Sequence, residues 1–162
     1  MSDSLLTFDG SGLPLAGVRA LAQTGSTNAD ALMMAQLGAA DGWLILAEEQ
    51  TQGRGRFERR WVTRAGTALA FSLLLRPTEA EQAQLGRFVA LGALAVQRAL
   101  VELRLAAQIK WPNDVLVDGR KICGILVETL WQDGQAQAVV LGVGVNVLAE
   151  SVPPAEELQF PA

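Results

Sequence analysis

Apolar residues recur along the chain in two rhythms. Residues 67–75 alternate in β-forming types, and Pro77 ends the run. Over residues 82–103 the spacing is helical. Leu85, Phe88, Val89, Gly92, Val96, Ala99, Leu100 and Leu103 share one stripe with Arg and Glu between them, which predicts an amphipathic helix packed on a sheet. Upstream, residues 18–22 read as a short strand and residues 43–47 as a buried one. A helix is predicted from Ala29, with Ser26 or Thr27 as its N-cap.

From residue 107 onward the pattern is β. Residues 108–111 lead into Pro112-Asn113-Asp114, a tight turn by composition. Residues 115–117 and 121–131 are joined by Asp118-Gly119, and Asp133-Gly134 leads into 136–147. Asp-Gly steps between apolar runs predict hairpins. The expected fold is therefore α+β: a mixed, largely antiparallel sheet flanked by helices. One domain over residues 1–162 accounts for the length, with 1–17 as a loose leader and 150–162 as a Pro- and Glu-rich tail.

Composition narrows the chemistry. With a net charge of −4 and a pI near 4.8, a broad nucleic-acid footprint is not expected. No histidine occurs, which excludes Ser-His-Asp and Cys-His catalysis and His-bearing zinc sites. The single cysteine, Cys123, excludes a disulfide within the chain and suits a reducing compartment. No signal peptide and no apolar run of membrane-spanning length is present, so a cytoplasmic protein is expected.

Against this acidic background, Gly53-Arg54-Gly55-Arg56-Phe57-Glu58-Arg59-Arg60-Trp61 gathers four of the thirteen cationic side chains into seven positions. Its glycines permit close backbone approach, and arginine forks suit phosphate or carboxylate. The loop reads as one that closes over a small anion, mobile without ligand. A solvated surface loop would have the same composition. The cluster Gln23-Thr24-Gly25-Ser26-Thr27-Asn28 either only caps the helix or also turns its hydroxyls and free N–H groups to a ligand. Lys110 and Lys121 flank the turn carrying Asn113 and Asp114. In such apolar settings a lysine is costly to bury without an anion, which a ligand would supply; otherwise Lys110 pairs with Asp114 and Lys121 caps an exposed hairpin end.

Several fixed cations, a few carboxylate and amide groups and no histidine suit nucleotidyl transfer to a carboxylate, where two anions must be brought together. Asp114, with Asn113 or Asn146, offers oxygen ligands for Mg²⁺. No P-loop is present. Gly142-Val143-Gly144-Val145-Asn146 lacks the third glycine of a dinucleotide fingerprint, so its glycines are expected to mark a close approach to a neighbour or ligand.

Five blocks in order, Ser26-Thr27-Asn28, Gln50 with the Gly-Arg-Gly-Arg loop and Trp61, Lys110-Trp111-Pro112-Asn113-Asp114, residues 120–128, and residues 142–146, strongly resemble the catalytic domain of biotin protein ligases. The likeness runs over about residues 23–148 and implies a domain related to class II aminoacyl-tRNA synthetases. It implies that biotin and MgATP give biotinyl-5′-AMP, and that the biotinyl group passes to a lysine of a biotin carboxyl carrier domain. It implies a biotin site of Ser26, Thr27, Asn28, Gln50, Arg54, Gly55, Arg56, Lys121 and Gly124, with Lys121, Arg54 and Arg56 as the catalytic cations. Trp61 would stack near the adenine, with Lys110, Asn113, Asp114 and Asn146 at the nucleotide and metal end.

In three respects the chain departs from the family pattern. Glu58 stands where the family often has glycine and is expected to trim the positive field of the loop or to pair with Arg56 or Arg60. Too few residues precede Ser26 for a helix-turn-helix domain, so no DNA partner is expected. Little follows Asn146, so biotin is expected to bind with less dependence on a C-terminal domain than ATP. Neither a monomer nor a homodimer is favoured, and no membrane partner is expected. A lipoate ligase-like enzyme, a biotin-binding module without ligation and an RNA-binding protein are the rival readings.

Overall fold

The computed structural model describes residues 8–57 and 59–152. Ten elements follow in order: β1 (Gly17–Thr24), α1 (Thr27–Gln36), β2 (Trp43–Gln50), β3 (Ala68–Leu75), α2 (Glu79–Gln82), α3 (Arg87–Glu102), β4 (Ala107–Lys110), β5 (Asp114–Val117), β6 (Arg120–Gln132) and β7 (Gln135–Asn146), with a 3₁₀ turn at Ala149–Ser151. The strands form one sheet in the order β1-β2-β3-β7-β6-β5-β4. Only β1 and β2 pair in parallel; every other neighbouring pair is antiparallel. The expected mixed, largely antiparallel sheet is what forms, and both Asp-Gly steps close hairpins with the aspartate and the glycine at positive φ.

Alternation along β7 assigns the faces. Ala138 and Val140 pack with Ala31 and Ala35 of α1, together with Ile45 and Leu74. Leu141, Val143 and Val145 point the other way, into a cluster with Ala93 and Leu100 of α3, Val115, Cys123 and Ile125. The two longer helices therefore lie on opposite faces. Each large side chain fully buried between helix and sheet, such as Ile45 or Ile125, stabilises by about 1.5–3 kcal/mol. Arg76, just past β3, donates to the carbonyls of Ala35, Ala39 and Gln137, so the open C-terminal end of α1 is capped and tied to β7.

Two expectations need correction. The helix predicted over 82–103 is broken in two. A capping box between Thr78 and Glu81 starts α2 upstream of the apolar stripe, and α3 begins only after Gly86, a poor helix former. Leu103, placed on the buried stripe, is 71% exposed, because the helix ends at Glu102. The strand at 18–22 is longer at both ends, since β1 pairs with β2 from Gly17 to Thr24. Residues 8–16 of the expected leader carry no regular element; Glu58 and the tail beyond residue 152 lie outside the described residues.

Cys123 is wholly buried. Burial pushes its thiol up to about 12 from 9.0, with Lys121 pulling it down and Asp114 pushing it up. The thiol is accordingly expected to resist a maleimide at pH 8 in the folded protein and to react at once in denaturant. Because the folded value lies above the unfolded one, its contribution to stability is intact below pH 9.0 and lost as pH rises towards about 12. Rapid labelling of native protein would contradict this placement.

Candidate active site

The site forms on the face that α1 occupies, where α1 leaves part of the sheet uncovered. On β6 and β7, Gly124 faces Gly144, and Leu126 faces Gly142. These glycines make a floor without side chains, and two residues lie on it. A β-carbon on Gly142 would overlap the amide of Asn28, and one on Gly144 would overlap the indole of Trp61, which also touches Gly124. The close approach expected at residues 142–146 is thus made by named neighbours.

Lys121 reaches this floor through a bulge. Val115 pairs with Cys123 and Leu116 with Lys121, so Ile122 is the extra residue. Ile122 and Cys123 both pack towards α3. Strict alternation would have put Lys121 on that face too; the inserted residue turns it to the side of Gly124 instead. Its Nζ lies 2.7 Å from Asp114 Oδ1 and 5.7 Å from the centre of the Trp61 ring. The ion pair with Asp114, the alternative for Lys110, is made by Lys121, and Lys110 lines the cleft.

The arginine loop is a small hairpin over one end of the cleft. Arg54 bridges to Arg60, Gly55 N–H donates to Arg59 O, and Trp61 N–H donates to Gly53 O. A side chain on Gly53 would overlap the Trp61 carbonyl. Phe57 sits at the tip with φ 56° and is 78% exposed. Two arginines pin the hairpin to the sheet and the turn: Arg54 pairs with Glu128 at 3.1 Å, and Arg56 donates to Asn113 Oδ1 at 3.0 Å. The partner expected for Glu58 falls outside the described residues.

At the other end stands the start of α1. Ser26 holds the N-cap position in extended backbone but makes no capping bond with its side chain, so its hydroxyl is left for the cleft it lines. Capping comes from β2: Gln50 Oε1 accepts the Thr27 N–H at 2.9 Å, while Gln50 Nε2 donates to Thr63 Oγ1 at 3.2 Å. These contacts fix which way the Gln50 amide faces. Asn28 Nδ2 donates to Glu128 at 2.7 Å and to Leu126 O at 3.3 Å.

The open cleft measures about 300 Å³, and of the predicted site residues every one lines it except Asn146. Asn146 donates instead to the carbonyl of Lys121 at 3.4 Å. Trp61 lies on the glycine floor, beneath the loop that carries it. Sequence reasoning overlooked Ser72 and gave Glu128 no role. Ser72 is a hydroxyl at an inward position of an otherwise apolar strand, wholly buried and bonded to Thr27 and Asn28. Glu128 is a carboxylate on the same side of β6 as Gly124 and Leu126. The signal for Ser72 is a single polar residue in an apolar run, and that for Glu128 a carboxylate within a long β-forming stretch.

Among the described residues no group of three His, Cys, Asp or Glu is placed to hold a metal. Asp114 Oδ1 is engaged by Lys121 and the Asn113 oxygen by Arg56, so a metal bound there would compete with those cations. Chemically, the cleft combines hydrogen-bonding groups at Ser26, Thr27 and Gln50 with cations at Arg54, Arg56, Lys110 and Lys121, of which Arg54 is tied through Glu128 to Asn28. It fits an elongated molecule with a polar head and an anionic tail. No helix among the described residues is long and apolar enough to cross a membrane.

Residues 20–146 match the model of the biotin/lipoate A/B protein ligase family. The biotin–[acetyl-CoA-carboxylase] ligase of Paracoccus denitrificans is 48% identical over 134 residues, covering 78% of this chain and 53% of that protein. The bifunctional ligase/repressor BirA of Bacillus subtilis is 37% identical, with 75% of this chain and 38% of that protein covered. Among solved structures, the biotin protein ligase of Aquifex aeolicus in complex with biotin and ATP superposes with a TM-score of 0.71 at 31% identity, covering 88% of this chain and 56% of that one. The chain thus spans from somewhat over a third to about half of the length of these relatives.

Proposed function

The chain belongs to the biotin/lipoate A/B protein ligase family, and from that premise we propose that it carries the catalytic site of a biotin–protein ligase. In the proposed reaction the biotin carboxylate attacks the α-phosphorus of ATP, forming biotinyl-5′-AMP and releasing pyrophosphate. The ε-amine of a carrier-domain lysine then attacks the carbonyl carbon and AMP departs.

The observation that carries this reading is the polarity of the cleft. Biotin has a cyclic urea at one end and a carboxylate at the other, matching a cleft that offers hydrogen-bonding groups at Thr27 and Gln50 and cations at Arg56 and Lys121. The names of the Paracoccus relative and of the Aquifex complex support the same substrates. Lipoate fits less well, since its dithiolane has no N–H or C=O for the polar end. Fixed cations near the joining carboxylate and phosphate offset their repulsion, at about 3–4 kcal/mol for a well-aimed donor. Mg²⁺ fits at Asp114 once Lys121 turns to the ligand; it would supply charge neutralisation at the phosphates, and its usual retention of waters suits a single carboxylate.

Ligand against Gly124 requires Trp61 to leave the floor, and the hairpin bearing it is pinned by Arg54 and Arg56, cations that a bound anion would draw away. Backbone amides of residues 53–61 are therefore expected to exchange with solvent far faster than those of β7 in free protein, and to gain protection with a biotinyl-AMP analogue. Equal exchange with and without the analogue would refute the moving loop. The function itself is tested by incubating the chain with a biotin carboxyl carrier domain, Mg²⁺ and either biotin or lipoate, with and without ATP. ATP-dependent biotin labelling of the carrier is expected. Labelling by lipoate alone would overturn the assignment.

A further inference from the structure

Behind the polar end of the cleft runs a line of buried polar side chains whose protons can be assigned. Ser72 Oγ lies 2.6 Å from Asn28 Oδ1 and 2.7 Å from Thr27 Oγ1. The Asn28 amide nitrogen faces Glu128 and the Leu126 carbonyl, so the oxygen turned to Ser72 is Oδ1, which has no proton to give. The Ser72 proton must fill that contact. The Thr27–Ser72 contact is then left with one proton available, that of Thr27. Gln50 Oε1, 3.2 Å from the Thr27 hydroxyl, has a second lone pair, but a proton sent there would leave two oxygens 2.7 Å apart at Thr27 and Ser72 with none between them. Donation therefore runs one way, from Thr27 to Ser72 to Asn28 to the Glu128 carboxylate. Arg54 closes the line from the loop side.

From this we infer that Ser72 and Glu128 are positioning residues: they hold the Thr27 hydroxyl as an acceptor towards the cleft and join it to the arginine loop. With its proton committed inward, Thr27 Oγ1 has only lone pairs to offer a ligand, so the head group placed there must donate an N–H or O–H. The line is buried at Ser72, Thr27 and Asn28, where a broken member leaves an unpaired group, so its parts act as a unit. Selection against a head group without donors follows from the same arrangement. The inference rests on the biotin reading, in which the donor is a urea N–H.

The test is a double-mutant cycle on biotin binding by calorimetry, using the whole chain with Ser72→Ala, Glu128→Gln and both. Each single change is expected to raise Kd about tenfold. As members of one line, the pair together should weaken binding by well under the hundredfold product. Glu128→Asp should recover part of the loss. Effects that multiply fully, or either single variant binding like the parent, would overturn the relay. Should Ser72→Ala fail to fold, Glu128→Gln alone decides, through biotin affinity and through exchange of residues 53–57, which the relay requires to quicken. Unchanged exchange with unchanged affinity would overturn it. If the parent chain binds no biotin, the functional reading fails instead, and the two failures are told apart.

Discussion

Lys121→Ala is expected to lower the rate of pyrophosphate release by about 10²–10³ while shifting the melting temperature by no more than about 4 °C. The two numbers have different origins. In the ligand-free protein Lys121 pairs with Asp114, but its side chain is 33% exposed and that of Asp114 is 21% exposed. A pair so placed is partly screened, and its contribution is on the order of 1 kcal/mol or less. Its contact with the Trp61 ring, at 5.7 Å, is a weak one. What the alanine removes is the ammonium that the Ile122 bulge turns towards Gly124, where a carboxylate would develop its bond to phosphorus. Pyrophosphate release with saturating biotin and ATP, read beside thermal melting of the same preparations, checks the split. A large fall in melting temperature with normal turnover would mean that Lys121 serves the fold.

That bulge also shows where sequence reading stops. The hairpins were legible because Asp118-Gly119 and Asp133-Gly134 hold the positive φ their turns require. The arginine loop was legible because its charge stands out in an acidic chain. Which face Lys121 takes is a different matter. Residues 120–128 read equally well as an unbroken alternation, which would bury Lys121 beside Cys123. Only the pairing of Leu116 with Lys121, across a separate strand, shows the inserted residue. The start of α2 had a local signal in Thr78 and Glu81, which lies just before the apolar stripe. Ser72 and Glu128 acquire meaning only from Asn28, which is 44 and 100 residues distant from them in the chain. Partners brought together by sheet register carry no mark in either segment alone.

Gly142→Ala tests the same register from the floor of the site. Gly142 lies within β7, paired with Ser72 on one side and Leu126 on the other, so its backbone cannot move aside without breaking both ladders. The new methyl would meet the Asn28 amide. Asn28 cannot retreat either, since it is 4% exposed and held by Ser72, Glu128 and the Leu126 carbonyl. Overpacking of this kind costs about 1–3 kcal/mol, and displacing the amide adds the loss of its bonds. A melting temperature lower by about 5–12 °C is expected. Biotin affinity should fall with it, because Thr27 loses its anchor through Ser72. Gly86→Ala serves as the control: it has open space and helical backbone, φ −59°, so it should be neutral or slightly stabilising. If Gly142→Ala melts like the parent and binds biotin as well, Asn28 is free to move and the floor is not rigid.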